Sequence, residues 1–255
     1  MRVLILGGTT EAVACAERLG SDPRFHPILS LAGRTRNPRQ QGGIAHRVGG
    51  FGGAEGLAAY LAEERIDAVL DATHPFAAQI SANADKATRA CGVALCTLVR
   101  PPWVAETGDR WIGAATIEAA ANALGEEPRR VFLAVGRQGV GAFRHMTQHA
   151  YIIRAIEQPE ADALPPDTTL VQARGPFALQ DEIELLTSHQ IDVVVSKNAG
   201  GAATYAKIEA ARSLGLPVIM IERPDTAGQN FVASAAEAVD WLGGVHDGSR
   251  SERNV

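Results

Sequence analysis

Met1-Arg2-Val3-Leu4-Ile5-Leu6-Gly7-Gly8-Thr9-Thr10-Glu11-Ala12 opens the chain. Val3–Leu6 is an apolar run of strand length, two glycines permit a tight turn, and Glu11–Leu19 continues as an alanine-rich helix. A strand that runs through glycines into a helix start gathers free backbone N–H groups and the positive end of the helix dipole at one point, which attracts phosphate. Against the G-x-G-x-x-G dinucleotide fingerprint, Gly7 and Ala12 fit the first and third positions. Thr9 replaces the middle glycine, where a side chain crowds a pyrophosphate although its hydroxyl could donate to one. The same turn also occurs where no nucleotide binds.

Working outward, β-branched runs alternate with alanine-rich ones. Strands are expected at Ile28–Ala32, Ile66–Ala72 and Val93–Val99, with helices over Ala54–Glu64 and Ala77–Ala90. Arg100-Pro101-Pro102-Trp103 interrupts the pattern, because two prolines suit neither a helix interior nor a central strand. Strands then return at Val131–Val135, Tyr151–Ile156, Val193–Ser196 and Val218–Ile221. Helices return over Thr116–Leu124, Ala178–His189, Ala202–Leu214 and Ala233–Leu242. The alternation predicts an α/β fold of two Rossmann-like parallel-sheet domains with a cleft between them. The expected boundaries are 1–102, 103–242 and a frayed tail over 243–255.

Of 255 residues 46% are hydrophobic, enough for a substantial core, and the net charge of −5 argues against a nucleic-acid-binding surface. No run approaches the ~20 apolar residues of a membrane span. The three cysteines, Cys15, Cys91 and Cys96, form no C-x-x-C pair and are read as buried, inert thiols. The cytoplasm is the expected compartment. No nucleophile elbow, Walker loop or metal-ligand constellation is present in the sequence, so no metal is expected.

The second strand sharpens the cofactor reading. Its end, Leu31-Ala32-Gly33-Arg34-Thr35-Arg36, carries no acid to hold a ribose 2′-hydroxyl, whereas Arg34 and Thr35 suit a 2′-phosphate. NADPH is therefore the expected cofactor, held by Gly7, Gly8, Thr9, Glu11, Arg34, Thr35 and Thr73. In Asp71-Ala72-Thr73-His74-Pro75-Phe76-Ala77, Thr73 and His74 follow a buried strand and should face the same crevice. His74 is a candidate proton donor or positioning group. Thr73 as a helix cap beside a satisfied His74 is the plainer alternative. In the second half, Arg137, Arg174 and the loop Ser196-Lys197-Asn198-Ala199-Gly200-Gly201 follow strands or glycine turns. They form a candidate anion-binding set in which Lys197 also carries a catalytic expectation. A buried lysine there would need an anionic partner.

These segments, with Leu214-Gly215-Leu216-Pro217-Val218-Ile219-Met220 and Arg223-Pro224, resemble the precorrin-6A reductase family across residues 1 to about 224. The pair D-A-T-H-P-F-A and S-K-N-x-G-G is the specific part; Ala199 departs from the serine expected there. The resemblance implies NADPH-dependent reduction of one C=C bond, C18–C19, of a tetrapyrrole in cobalamin biosynthesis, giving precorrin-6B. It gives Arg137, Arg174 and Lys197 a use against the substrate's carboxylates. Its implied partners are that anionic tetrapyrrole and other corrin-pathway enzymes to which product is channelled. The residues alone leave open a reductase of another anionic small molecule, or a non-catalytic NADP(H)-sensing protein.

Overall fold

The computed structural model describes residues 1–32, 44–228 and 230–253, with side chains through 249. The chain forms two compact units, Met1–Pro101 with Pro224–Val255, and Pro102–Arg223. The first unit opens with β1 (Arg2–Leu6), α1 (Thr10–Gly20), β2 (His26–Leu31), β3 (Ala45–Val48), α2 (Ala54–Glu63), β4 (Ala68–Asp71), α3 (Ala78–Cys91) and β5 (Ala94–Leu98). The second contains β6 (Arg110–Ala114), α4 (Ile117–Asn122), β7 (Arg130–Ala134), β8 (Ala150–Ala155), β9 (Thr168–Gln172), α5 (Leu179–Ser188), β10 (Val193–Lys197), α6 (Ala206–Ser213) and β11 (Pro217–Ile221). The chain then returns to the first unit with β12 (Phe231–Val232) and α7 (Ala235–Arg253).

Each sheet has six strands, paired in parallel throughout, in the orders β12-β5-β4-β1-β2-β3 and β6-β11-β10-β7-β8-β9. Counted within the first unit, this is the doubly wound order 3-2-1-4-5-6, with β12 in sixth place. The second unit repeats it from β9 to β11, and its own first strand, β6, takes the sixth place. In such sheets the order reverses once, and ligands bind beyond the carboxyl ends of the strands at that point. The reversal lies between β1 and β4 in the first unit and between β7 and β10 in the second.

Both faces of the first sheet are covered, which is why its inner strands read as unbroken apolar runs. Val3 and Ile5 pack with Ala12, Cys15 and Leu19 of α1 and Leu242 of α7, whereas Leu4 and Leu6 pack with Leu57 and Leu61 of α2. Each fully buried leucine contributes roughly 1.5–3 kcal/mol relative to exposure. In the second unit Phe132, Ile152, Val194 and Val218 pack against Leu186 and Ile208 of α5 and α6.

Three expectations change here. Residues 224–242 belong to the first unit, because β12 pairs with β5 and α7 packs on α1, and 243–253 continue α7 rather than fraying. Cys15 and Cys96 are buried, and burial pushes their thiols up to about 11 and about 12, but Cys91 is exposed. The strands β3, β6, β9 and β12 appear where none was expected. No described helix is long and apolar enough to cross a membrane.

Candidate functional sites at the two strand-order reversals

At the reversal of the first unit, the glycine turn after β1 meets the Asp71–His74 turn after β4. Gly7 sits in a close approach: a Cβ there would lie 2.7 Å from Leu29 Cδ1 and 3.3 Å from the Ser30 carbonyl oxygen, so a side chain would require Leu29 to shift. Gly8, at φ +114°, is exposed, and a Cβ would meet nothing within 4 Å. A left-handed glycine in open space before a helix N-terminus suits the close approach of a phosphate, so the backbone fits a dinucleotide.

Thr9 has a different task from the one expected. Its hydroxyl donates to the Ala72 carbonyl at 2.7 Å and accepts from Ala12 N at 3.1 Å, so it caps α1 and ties the two turns together. Its hydrogen is not available to a pyrophosphate; its place in the cradle is structural. Glu11, in the first turn of α1, accepts from Arg100 Nη1 at 2.6 Å. Arg100 thereby neutralises a carboxylate that would otherwise repel phosphate. Arg34 and Thr35 lie outside the described residues.

Thr73 donates through its amide and hydroxyl to Asp71 Oδ1, at 3.1 and 2.7 Å, so it does not cap α3. His74 Nδ1 accepts from Phe76 N at 3.2 Å, which leaves Nε2 as the protonated ring nitrogen in the neutral side chain. Both side chains are half-buried.

At the reversal of the second unit, the Arg137 turn after β7 lies beside the Lys197 loop after β10. Gly136, at φ +73°, turns the chain into a short 3-10 segment over Arg137–Phe143, and Arg137 Nη1 donates to Glu157 Oε2 at 3.3 Å. Lys197 is half-buried at the end of β10. Ser196 is wholly buried, with its hydroxyl on the Lys197 carbonyl, which removes it from any ligand-contacting set. Asn198 is likewise engaged internally. Its Oδ1 accepts from Trp103 N at 2.8 Å and its Nδ2 donates to the Trp103 carbonyl at 3.0 Å. Gly200 and Gly201 both adopt left-handed backbone, and Trp103 Nε1 donates to the Gly201 carbonyl at 2.9 Å. Arg174 is exposed beyond the edge strand β9. The loop that carries it nonetheless approaches the β10 loop, since a Cβ on Gly175 would lie 3.0 Å from the Ala203 carbonyl.

Sequence reasoning missed what these two loops enclose. A cavity of about 630 Å³ is lined by Trp103, Val104, Phe177, Gly201 and Tyr205, with Glu106 at its wall. Glu106 pairs with Arg212 at 2.9 Å, a guanidinium it shares with Asp109, and Glu209 also lines the cavity. Behind the aromatic floor sit two buried cations. Lys207 Nζ lies 4.7 Å from the Trp103 ring centroid and donates to the Thr204 carbonyl, and Arg154 lies 3.7 Å from the Phe177 centroid. Arg154 pairs with buried Glu182. Burial, aided by Arg154, pulls the Lys207 ammonium from its ordinary 10.5 to about 7. The buried lysine is therefore Lys207, not Lys197. The proline-flanked Trp103 and the i, i+3 pair Thr204 and Lys207 were the available signals.

Both units are thus doubly wound dinucleotide-type α/β folds that gather glycine turns and polar loops where the strand order reverses. The sequence model of the family described as precorrin-6x reductase CbiJ/CobK matches residues 2–243. The chain is 51% identical over 245 residues to a precorrin-6A reductase of Sinorhizobium sp, covering 94% of each, and 49% identical over 241 residues to one of Rhodobacter capsulatus, covering 94% of this chain and 95% of the other. The solved structure titled CobK precorrin-6A reductase superposes with a TM-score of 0.90 at 48% identity, covering 96% of both chains. This chain belongs to the precorrin-6x reductase family and is an oxidoreductase of cobalamin biosynthesis.

Proposed function

We propose that the enzyme reduces the C18–C19 double bond of precorrin-6A with NADPH, giving precorrin-6B. A hydride is delivered to C19 and a proton to C18, and NADPH supplies the hydride when bound. The observation that carries this reading is the meeting of an open glycine turn at a helix N-terminus with the Thr73–His74 turn at the reversal of the first sheet. Gly7, Gly8 and the first turn of α1 would hold the phosphates, with Thr9 keeping the cradle shut and Arg100 neutralising Glu11. Arg34 and Thr35 would hold the 2′-phosphate. Thr73 and His74 border the nicotinamide end, and His74, whose Nδ1 accepts from Phe76 N, can hold or move a proton there through Nε2. In the second unit Lys197, Arg137 and Arg174 grip the carboxylates of the tetrapyrrole, whose conjugated face suits the aromatic floor of Trp103, Phe177 and Tyr205. The free thiols of Cys15, Cys91 and Cys96 suit a cytoplasmic setting, where product could pass to other corrin-pathway enzymes.

The test is authentic precorrin-6A with NADPH, followed by loss of reduced-nicotinamide absorbance and by the mass of the product. No consumption refutes the reaction. The cofactor arm is Arg34→Glu, expected to weaken NADPH by about 1.5–3 kcal/mol and NADH far less, through loss of a charge-assisted pair. Equal weakening of both removes the 2′-phosphate role.

A further inference from the structure

The last residue of β4, Asp71, lies directly behind the Thr73–His74 turn and is 2% exposed. Its Oδ1 is used twice by Thr73, but no hydrogen-bond donor among the described residues reaches its buried Oδ2. Thr97, on the neighbouring strand, is its register partner and is 3% exposed, and the Thr97 hydroxyl is equally without a partner among the described residues. Both residues line one cavity of about 10 Å³, to which Thr73 and His74 of the turn, Ser81, Thr226 and the exposed Asp225 also contribute. That is room for a single water among several polar groups. The chain is packed closely over Thr97, since a Cβ on Gly228 would lie 2.7 Å from its hydroxyl oxygen. A buried carboxylate oxygen is costly unless something donates to it, and a hydroxyl beside it can both donate and accept.

We infer that Asp71 is a positioning residue of the reductase reaction. With Thr97 it holds one internal water, and the set fixes the Thr73–His74 turn from behind. Thr9 fixes the same turn from the front, through the Ala72 carbonyl. The turn is held between Thr9, at the end of β1, and Thr97 of β5, the strands on either side of β4, and Asp71 acts through it. This rests on the reading of that crevice as the nicotinamide end of the cofactor site.

The test uses the full-length enzyme with Asp71→Ala, Asp71→Asn and Thr97→Val. NADPH affinity is measured by fluorescence titration, kcat with precorrin-6A, and Tm alongside. Because a misplacement of about 1 Å can cost on the order of 100-fold in rate, Asp71→Ala is expected to lower kcat by roughly 10- to 100-fold. NADPH affinity should stay within about threefold, since the glycine cradle is untouched. Asp71→Asn, which still accepts from Thr73 and donates toward Thr97, is expected to recover most of the rate. Asp71→Ala with kcat within about twofold of the parent overturns the inference, as does a loss of NADPH affinity as large as the loss of kcat. If Asp71→Ala does not fold, Thr97→Val decides. A fall in kcat of about threefold or more at unchanged Tm supports the role, and an unchanged kcat refutes it. A parent enzyme that fails to bind NADPH would instead sink the cofactor reading.

Discussion

Replacing Thr9 by valine keeps its volume and removes its hydroxyl. Two hydrogen bonds disappear, the 3.1 Å cap on Ala12 N and the 2.7 Å bond to the Ala72 carbonyl. Loss of a threonine cap costs about 1 kcal/mol. Ala72 is 1% exposed, so its carbonyl is left buried and unsatisfied, at a further cost of about 1–3 kcal/mol. The sum, about 2–4 kcal/mol, corresponds to roughly 7–14 °C in the melting of the first unit. The same loss frees the glycine turn from the Asp71–His74 turn, so NADPH affinity should fall as well. Thr9→Ser retains the hydroxyl and should keep most of both. Calorimetry and NADPH titration of the three proteins measure the effect. A valine variant that melts and binds like the parent would refute the assignment of Thr9 as the tie between the two turns.

Other predictions concern the second unit. Since the Lys207 ammonium sits near 7 in the folded chain against 10.5 ordinarily, the unfolded chain binds the extra proton between those values. Stability should therefore rise with pH from about 7 towards 10.5, and chemical denaturation should find that slope absent in Lys207→Met, which is the more stable protein near pH 7. Glu182→Leu leaves Arg154 buried and unpaired and should cost on the order of 3–5 kcal/mol, read from the denaturation midpoint. Lys197→Ala should raise KM for the tetrapyrrole about tenfold or more with KM for NADPH little changed, as one charge-assisted contact is lost.

The inner strands were legible because burial on both faces leaves a continuous apolar run, as in Val3–Leu6 and Val193–Val195. The four strands not expected, β3, β6, β9 and β12, are the outermost strands of their two sheets. An edge strand is covered on fewer sides, so Arg110–Ala114 and Thr168–Gln172 carry exposed positions that break the pattern. The two residues of β12 give almost no pattern at all, so nothing local in the sequence shows that residues 224–253 return to the first unit. At the sites, the glycines and their turns were legible from backbone demands alone. The duties of the polar residues were not: a threonine, serine or asparagine after an apolar strand serves a ligand or the protein equally well. Thr9, Ser196 and Asn198 all bond within the protein, to partners as distant in sequence as Ala72 and Trp103.

With β12 completing a sheet begun at Arg2 and α7 packing on α1, the second unit is an insertion within the first, joined to it at Pro101–Pro102 and again at Arg223–Pro224. On the ribosome, the insertion is free to fold while β5 still lacks its neighbour on one side. A chain halted before Phe231 would present that strand as an uncapped edge, open to pairing with another chain. Vectorial synthesis thus makes the first unit, although it emerges first, the last to be finished.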